Sequence, residues 1–278
     1  MNIINAIYNL VHNCVISLSP CEQGRNRVNN VGDALEKYIK NLFADTFSMS
    51  EENRLKKWSK VFSYLGNSNN PPDVMLRGGD AIEVKKIESN TSSIALNSSF
   101  PKQVLRSCST MISAACREAE QWSEKDMIYV VGVVEDDTLK QLSMVYGVDY
   151  CAKDECYGRI QKTIKTGIEN IPDVEFAETR ELGRVNKVDP LGITYMRVRG
   201  MWGIENPWRA FDYIYEMDSN KKFNFMCIIN DEKWATFNNT VLLTSLDVDG
   251  FLIQDVEVKN PDNPARLVSA KLITYSIN

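Results

Sequence analysis

Apolar residues along this chain recur with two periods, and each period predicts an element. Near the N-terminus Ile3, Ile4, Ile7, Leu10, Val11, Cys14 and Val15 return every three or four positions. That spacing lines one helical face, so a helix is predicted over 1–16. The polar stretch 17–30, SLSPCEQGRNRVNN, is predicted to be a loop. Val31, Leu35, Tyr38, Ile39 and Leu42 restore the helical period over 31–44, opened by the capping residue Asn30. After a loop at 66–72, GNSNNPP, the run DVMLRGGDAIEVKKIE predicts two short strands about a Gly-Gly turn. Residues 90–100 are polar and are expected to be mobile. Val104, Leu105, Cys108, Met111, Ile112, Ala115, Ala119 and Trp122 share one face of a helix predicted over 102–122. MIYVVGVV, 127–134, is a continuous apolar run, as expected of a central strand covered on both faces. Residues 154–168 read as helical, and strands such as ITYMRVR and FNFMCII then alternate with turns. The order predicts an α/β fold with a mixed β-sheet flanked by helices.

Composition narrows what such a fold can be. Of 278 residues, 44% are hydrophobic and 25% charged, an ordinary globular balance. The length allows one large domain or two small ones, with enough buried surface to fold without disulfide or metal staples. The seven cysteines are scattered and form no CxxC pair. That excludes a zinc ribbon or thioredoxin-like centre and points to reduced thiols in a cytoplasmic setting. No Lys or Arg precedes the N-terminal apolar residues, so they read as an amphipathic helix rather than a signal peptide. No apolar run is long enough to span a bilayer, and no membrane partner is expected. The single histidine, His12, has no motif around it, which argues against a Ser-His-Asp triad, an HExxH zinc site or a His-metal nuclease. A net charge of −5 argues against a coat that binds DNA along its whole length, but not against an enzyme with a local basic cleft.

The candidate chemistry lies in the predicted hairpin. Pro72-Asp73 is followed, after nine residues, by Glu83-Val84-Lys85. Strand alternation puts Glu83 and Lys85 on one face and the apolar Ile82 and Val84 on the other. Phosphodiester hydrolysis needs an activated water, an electrophile on the phosphate and help for the leaving group, and a divalent metal held by carboxylates can serve all three. Magnesium takes oxygen ligands and keeps several waters, so few carboxylates suffice. Asp73, Glu83 and Val84 are the expected metal ligands, and Lys85 the ammonium beside the attacking water. Glu36, at the edge of the apolar stripe of the 31–44 helix, is a further candidate to bind metal or water. Lys86 and Asp80 have the wrong strand parity, and Asp80 is expected to serve the turn. The string is short, and a solvated hairpin with an ordinary ion pair would also satisfy it. The apolar residue inside it and the buried strand that follows favour the catalytic reading. A second Pro-Asp, Pro172-Asp173, has no partner motif. Asp73 and Glu83 must face the same side, which predicts an odd-length loop or a bulge with Gly79 at positive φ; a three-residue loop, Arg77-Gly78-Gly79, would set Asp73 opposite Glu83.

Three segments, NNVGDALEKYIKNLF, PPDVMLRGGDAIEVKKIES and DPLGITYMRVRGMWGIENPW, resemble the NgoPII family of type II restriction endonucleases. The resemblance covers most of the chain. It implies a restriction-endonuclease-like core of the PD-(D/E)xK type, with Asp73, Glu83 and Lys85 as its signature. It further implies a homodimer that cuts double-stranded DNA at the palindrome GGCC with magnesium, within a bacterial restriction–modification system. A single domain over 1–278 is expected, with its catalytic core at about 30–170 and a DNA-recognition region at about 178–210. A G/C-only site calls for basic side chains on guanine O6 and N7. Arg184, Asn186, Lys187, Arg197 and Arg199 are the expected readers, in a cluster that also holds Arg180, Asp189, Trp202 and Arg209. Arg25 and Arg27, in GRNRVNN, are candidates for phosphates or the minor groove. Arg159, Lys162 and Lys165 read as a solvated helical face. The alternatives are a repair or junction nuclease with the same core, or a non-catalytic DNA-binding module with a degenerate metal site.

Overall fold

A computed structural model of the chain describes residues 1–18, 27–67, 70–97, 99–179 and 181–278. The N-terminal helix forms as α1, Ile3–His12. Asn2 and Asn5 cap it reciprocally, each side chain accepting from the other's main-chain N–H. Its apolar stripe is buried, whereas His12 is exposed and stacks on Tyr8. Helix α2, Arg27–Ala44, begins four residues before the expected 31. No Gly or Pro in 27–30 stops it, and it packs Leu35, Ile39 and Leu42 against α1 and the sheet. Helix α3, Glu51–Val61, leads into strand β1, Phe62–Tyr64.

The hairpin forms as β2, Val74–Leu76, and β3, Ala81–Ile87. The stretch expected to be mobile instead holds strand β4, Ile94–Asn97, with Ile94 and Leu96 buried. The Asn206 side-chain amide donates to the carbonyls of Asn90 and Ser92, which pins this segment from a distance.

The helix predicted over 102–122 does not form. Strand β5, Val104–Arg106, and a short helix α4, Ala114–Glu118, take its place. Two physical reasons compete successfully with the helical period. Ser107–Ser113 is rich in hydroxyls that bond local main chain: Ser109 accepts from Met111 N and Ser113 caps α4 at Cys116 N. The end of the neighbouring long strand also offers β5 an antiparallel partner. Leu105, Ile112 and Cys116 are still buried, so the apolar spacing is met without a helix.

That long strand is β6, Glu124–Glu135, followed by β7, Thr138–Tyr146, and short helix α5, Gly147–Tyr150. Helix α6, Asp154–Glu169, agrees with the predicted 154–168 and buries none of its residues. Strands β8, Gly183–Asn186, and β9, Tyr195–Val198, form a separate two-stranded sheet. Strand β10, Trp202–Ile204, pairs with β4 and precedes the short helix α7, Pro207–Ala210. Strand β11, Phe223–Asn230, is buried throughout. Two short helices, α8, Asp231–Trp234, and α9, Val241–Thr244, precede the closing hairpin β12, Phe251–Asn260, and β13, Asn263–Ile277.

The main sheet runs β1-β2-β3-β6-β7-β11-β13-β12, with β5 added beside β6. It is mixed, as expected: β3 with β6 and β7 with β11 are parallel and the other pairs antiparallel. The even-numbered residues Ile82, Val84, Ile128 and Val130 face α1 and α2. The odd-numbered Ala81, Ile87, Tyr129 and Val131 face a second core with Trp208 and Phe211. The central strands are therefore covered on both faces, which is why β6 reads as a continuous apolar run. No helix among the described residues is long and apolar enough to cross a membrane. The described cysteines are free thiols.

Candidate active site

The hairpin has the register that a shared site needs. Val74 pairs with Ile82 and Met75 with Ala81, so Asp73 falls opposite Glu83. The loop is the three-residue Arg77-Gly78-Gly79: Leu76 N donates to Asp80 O at 2.9 Å and Gly79 N to Leu76 O at 3.1 Å. Positive φ falls on Gly78, at +62°, not on Gly79. The tight turn Leu76–Gly79 puts the left-handed residue one position earlier than expected. The buried Lys125 ammonium clamps the loop by donating to Leu76 O at 3.0 Å and Gly79 O at 2.6 Å. Asp80 does more than serve the turn. It is buried, accepts from the Tyr146 hydroxyl at 2.8 Å and pairs with Lys233 at 2.8 Å, tying the hairpin to β7 and α8.

On the open end of the hairpin, Asp73, Glu83 and Lys85 come together. Lys85 Nζ lies 2.6 Å from Glu83 Oε1 and 3.9 Å from Asp73 Oδ2. Asp73 Oδ2 also accepts from the main-chain N–H of Val84 at 2.7 Å. All three side chains are mostly buried. Burial and then the Glu83 charge push the Asp73 carboxyl up to about 7. Burial works against the Lys85 ammonium, but the charges of Glu83 and Asp73 outweigh it and raise its pKa.

Glu36 stands close enough on α2 for its charge to act on Lys85, and its own carboxyl is raised by burial and by Asp73. Its ion pair is with Lys40, at 3.5 Å. Among the described residues no three His, Cys, Asp or Glu side chains converge as a metal cage, so Glu36 does not complete a three-carboxylate set.

The oxygen donors available to a cation here are Asp73 and Glu83, with Val84 able to offer only its main-chain carbonyl because its side chain is apolar. This all-oxygen set suits a hard divalent ion that keeps most of its waters. Glu83 Oε2 supports the fit: it is buried and has no hydrogen-bond partner among the described residues. A buried carboxylate oxygen in that position is costly unless something positive completes it.

The expected DNA readers cluster on the β8–β9 sheet. Arg184 lies over the Tyr195 ring, 4.7 Å from its centroid, and donates to Asn186 Oδ1 at 3.1 Å. Lys187 pairs with Glu175 at 3.2 Å. Arg197 and Arg199 both bond Glu181, each through Nε, and Arg197 also through Nη2. No spacing or motif in the sequence marks Glu181. Arg25 and Arg180 lie outside the described residues, as does the side chain of Arg27 at the start of α2. Arg209 pairs with Glu205 at 3.3 Å. Of the helical cations read as solvated, Lys162 and Lys165 line a cleft of about 530 Å³ with Arg106.

A family model described as NgoPII restriction endonuclease matches residues 1–259. The Type II restriction enzyme NgoPII of Neisseria gonorrhoeae is 58% identical over 278 residues, the whole of both chains. No solved structure matches. A match of that extent, together with the mixed sheet and the hairpin just described, leaves one conclusion: the chain belongs to the NgoPII restriction endonuclease family.

Proposed function

We propose that this chain is a type II restriction endonuclease that makes magnesium-dependent double-strand cuts in DNA at GGCC. The observation that carries the reading is the hairpin register, which sets Asp73 opposite Glu83 with Lys85 against both and leaves Glu83 Oε2 without a partner. Asp73, Glu83 and the carbonyl of Val84 would hold the ion. When bound, magnesium supplies an acidified water and neutralises charge on the phosphate. The Lys85 ammonium, kept charged by two carboxylates, orients the attacking water and meets charge developing on the phosphate oxygens. Val84 N–H holds the Asp73 carboxylate in place. Glu36 is a further carboxylate within electrostatic reach, suited to orienting an ordered water.

Family membership supports the target GGCC. Arg184, Asn186, Lys187, Arg197 and Arg199 supply donors for guanine edges, and Arg25 and Arg27 suit phosphates. A palindrome presents the same pattern on each strand, so a homodimer reads it with one set of residues per half-site. The chain acts as one domain, with its catalytic core at about 30–170 and its reading arm at about 178–210, in the bacterial cytoplasm. The test is digestion of plasmid DNA with purified protein and magnesium, followed by sequencing of the ends. Discrete fragments ending at GGCC are expected. Structure-dependent nicking would instead indicate a repair enzyme, and absence of magnesium-dependent cutting a binding module.

A further inference from the structure

Two lysines are buried among the described residues, Lys125 and Lys102, and they differ in one respect. Lys125 pairs with Glu120 at 2.5 Å. Lys102 is only 6% exposed, yet no carboxylate among the described residues lies within ion-pair distance of its ammonium. Its partners are neutral: Nζ donates to Ser99 Oγ at 2.7 Å and Phe100 O at 3.0 Å, and lies over the Phe100 ring, 4.3 Å from its centroid. An ammonium has three protons to donate, so one remains. Burial lowers the pKa of this group, opposed by the more distant charges of Asp154 and Glu83. A buried cation with no anion is expensive to keep, and such groups concentrate where a ligand completes them.

The position of Lys102 says which ligand. Its main-chain N–H donates to the Tyr129 hydroxyl at 2.7 Å. Tyr129 lies on β6 directly beside Glu83 of β3 in the parallel register. Lys102, Ser99 and Phe100 line a small cavity of about 10 Å³ whose walls include Glu83 and Tyr129. The same three residues also line the cleft of about 530 Å³ that carries Arg106, Lys162 and Lys165. Lys102 thus stands at the junction between the catalytic hairpin and a wider cleft with more cations.

We propose that Lys102 binds a DNA backbone phosphate flanking the scissile bond and so positions the strand against Asp73, Glu83 and Lys85. This rests on the nuclease reading and extends its machinery to a residue outside the motif. The phosphate supplies the anion that the free protein lacks. Tyr129 fixes the distance between that anchor and the metal-binding carboxylates, because it holds the Lys102 main chain from the strand next to Glu83.

The test uses full-length wild type, Lys102→Met and Lys102→Arg on duplexes containing GGCC. Replacing an unpaired buried cation with an apolar chain of similar length should leave the melting temperature of the free protein equal or higher. Single-turnover cleavage with magnesium should fall about 100-fold in Lys102→Met, the scale of losing one preorganised electrostatic donor. Lys102→Arg should recover part of it. With calcium in place of magnesium, the salt dependence of binding should drop by about one phosphate contact. A scan of neutral methylphosphonates should find a position that slows the wild type but does not slow Lys102→Met further. Equal methylphosphonate effects on both proteins, or Lys102→Met cutting within about twofold of wild type, would overturn the proposal. So would melting well below wild type in both variants, which would mark a structural lysine. Wild type that cuts no DNA with magnesium would overturn the nuclease reading itself, and this inference with it.

Discussion

Replacing Asp73 with Asn should make the metal-free protein more stable while abolishing cleavage. In the free chain the Asp73 carboxyl is raised from 3.8 to about 7, by burial first and the Glu83 charge second. Each tenfold change in proton affinity is worth about 1.4 kcal/mol. The rise therefore corresponds to roughly 4 kcal/mol against the ionised form, an upper bound because Asp73 and Glu83 share the repulsion. The folded state takes up a proton more readily than the unfolded chain. The cost is therefore full above pH 7, shrinks as pH falls through 7, and vanishes below 3.8, where both states are protonated. Asn is isosteric, carries no charge, and its Oδ1 can keep the bond from Val84 N–H. For a chain of this size the melting temperature of Asp73→Asn should exceed that of wild type by about 5–10 °C at pH 8 without metal. The gap should narrow toward pH 5. Added magnesium should raise the melting temperature of wild type but not of the variant, because only wild type holds the ion. Thermal unfolding by circular dichroism across this pH range is the assay. A variant that melts at or below wild type at pH 8, or a gap independent of pH, would refute the claim that these carboxylates strain the free protein.

Lys85→Ala and Asp73→Ala should both lose cleavage while retaining specific binding in calcium, measured by gel shift, because they act on the phosphate and its metal rather than on base edges. Arg197→Ala or Arg199→Ala should weaken binding to GGCC by about 1–3 kcal/mol relative to a one-base variant site, in competition titrations; a loss equal at all sequences would assign the side chain to phosphate. Sedimentation should find two copies of the chain on one duplex, and a single copy both free and bound would contradict the two-fold reading. Gly78→Ala should cost about 1 kcal/mol in urea unfolding, because it imposes a Cβ on a residue at φ +62°, whereas the same change at Gly79 escapes that backbone penalty.

Much of the candidate site was legible in the sequence because its determinants are local. Strand alternation puts Glu83 and Lys85 on one face, and the need to bring Asp73 opposite Glu83 calls for an odd-length loop or a bulge; the loop has three residues, with positive φ on Gly78 rather than Gly79. The apolar run 127–134 likewise declared β6, since a strand covered on both faces needs no polar positions, and FNFMCII read as a strand although β11 buries Asn224 as well. The period over 102–122 misled because burial of Leu105, Ile112 and Cys116 can be met by a strand and a short helix as well as by one long helix. Only the neighbouring edge of β6 and the local hydroxyls chose between them. The same limit applies to single residues. Asp80 looked like a turn residue until Tyr146 and Lys233 closed over it from positions 66 and 153 residues away. Glu181 had no mark until β9 brought Arg197 and Arg199 to it. Lys102 was one lysine among many until the fold buried it beside Tyr129 and gave it no anion. Periodicity and turn length act between neighbours in the chain and can be read from residue order, whereas burial and charge pairing act between neighbours in space, which only the folded sheet supplies.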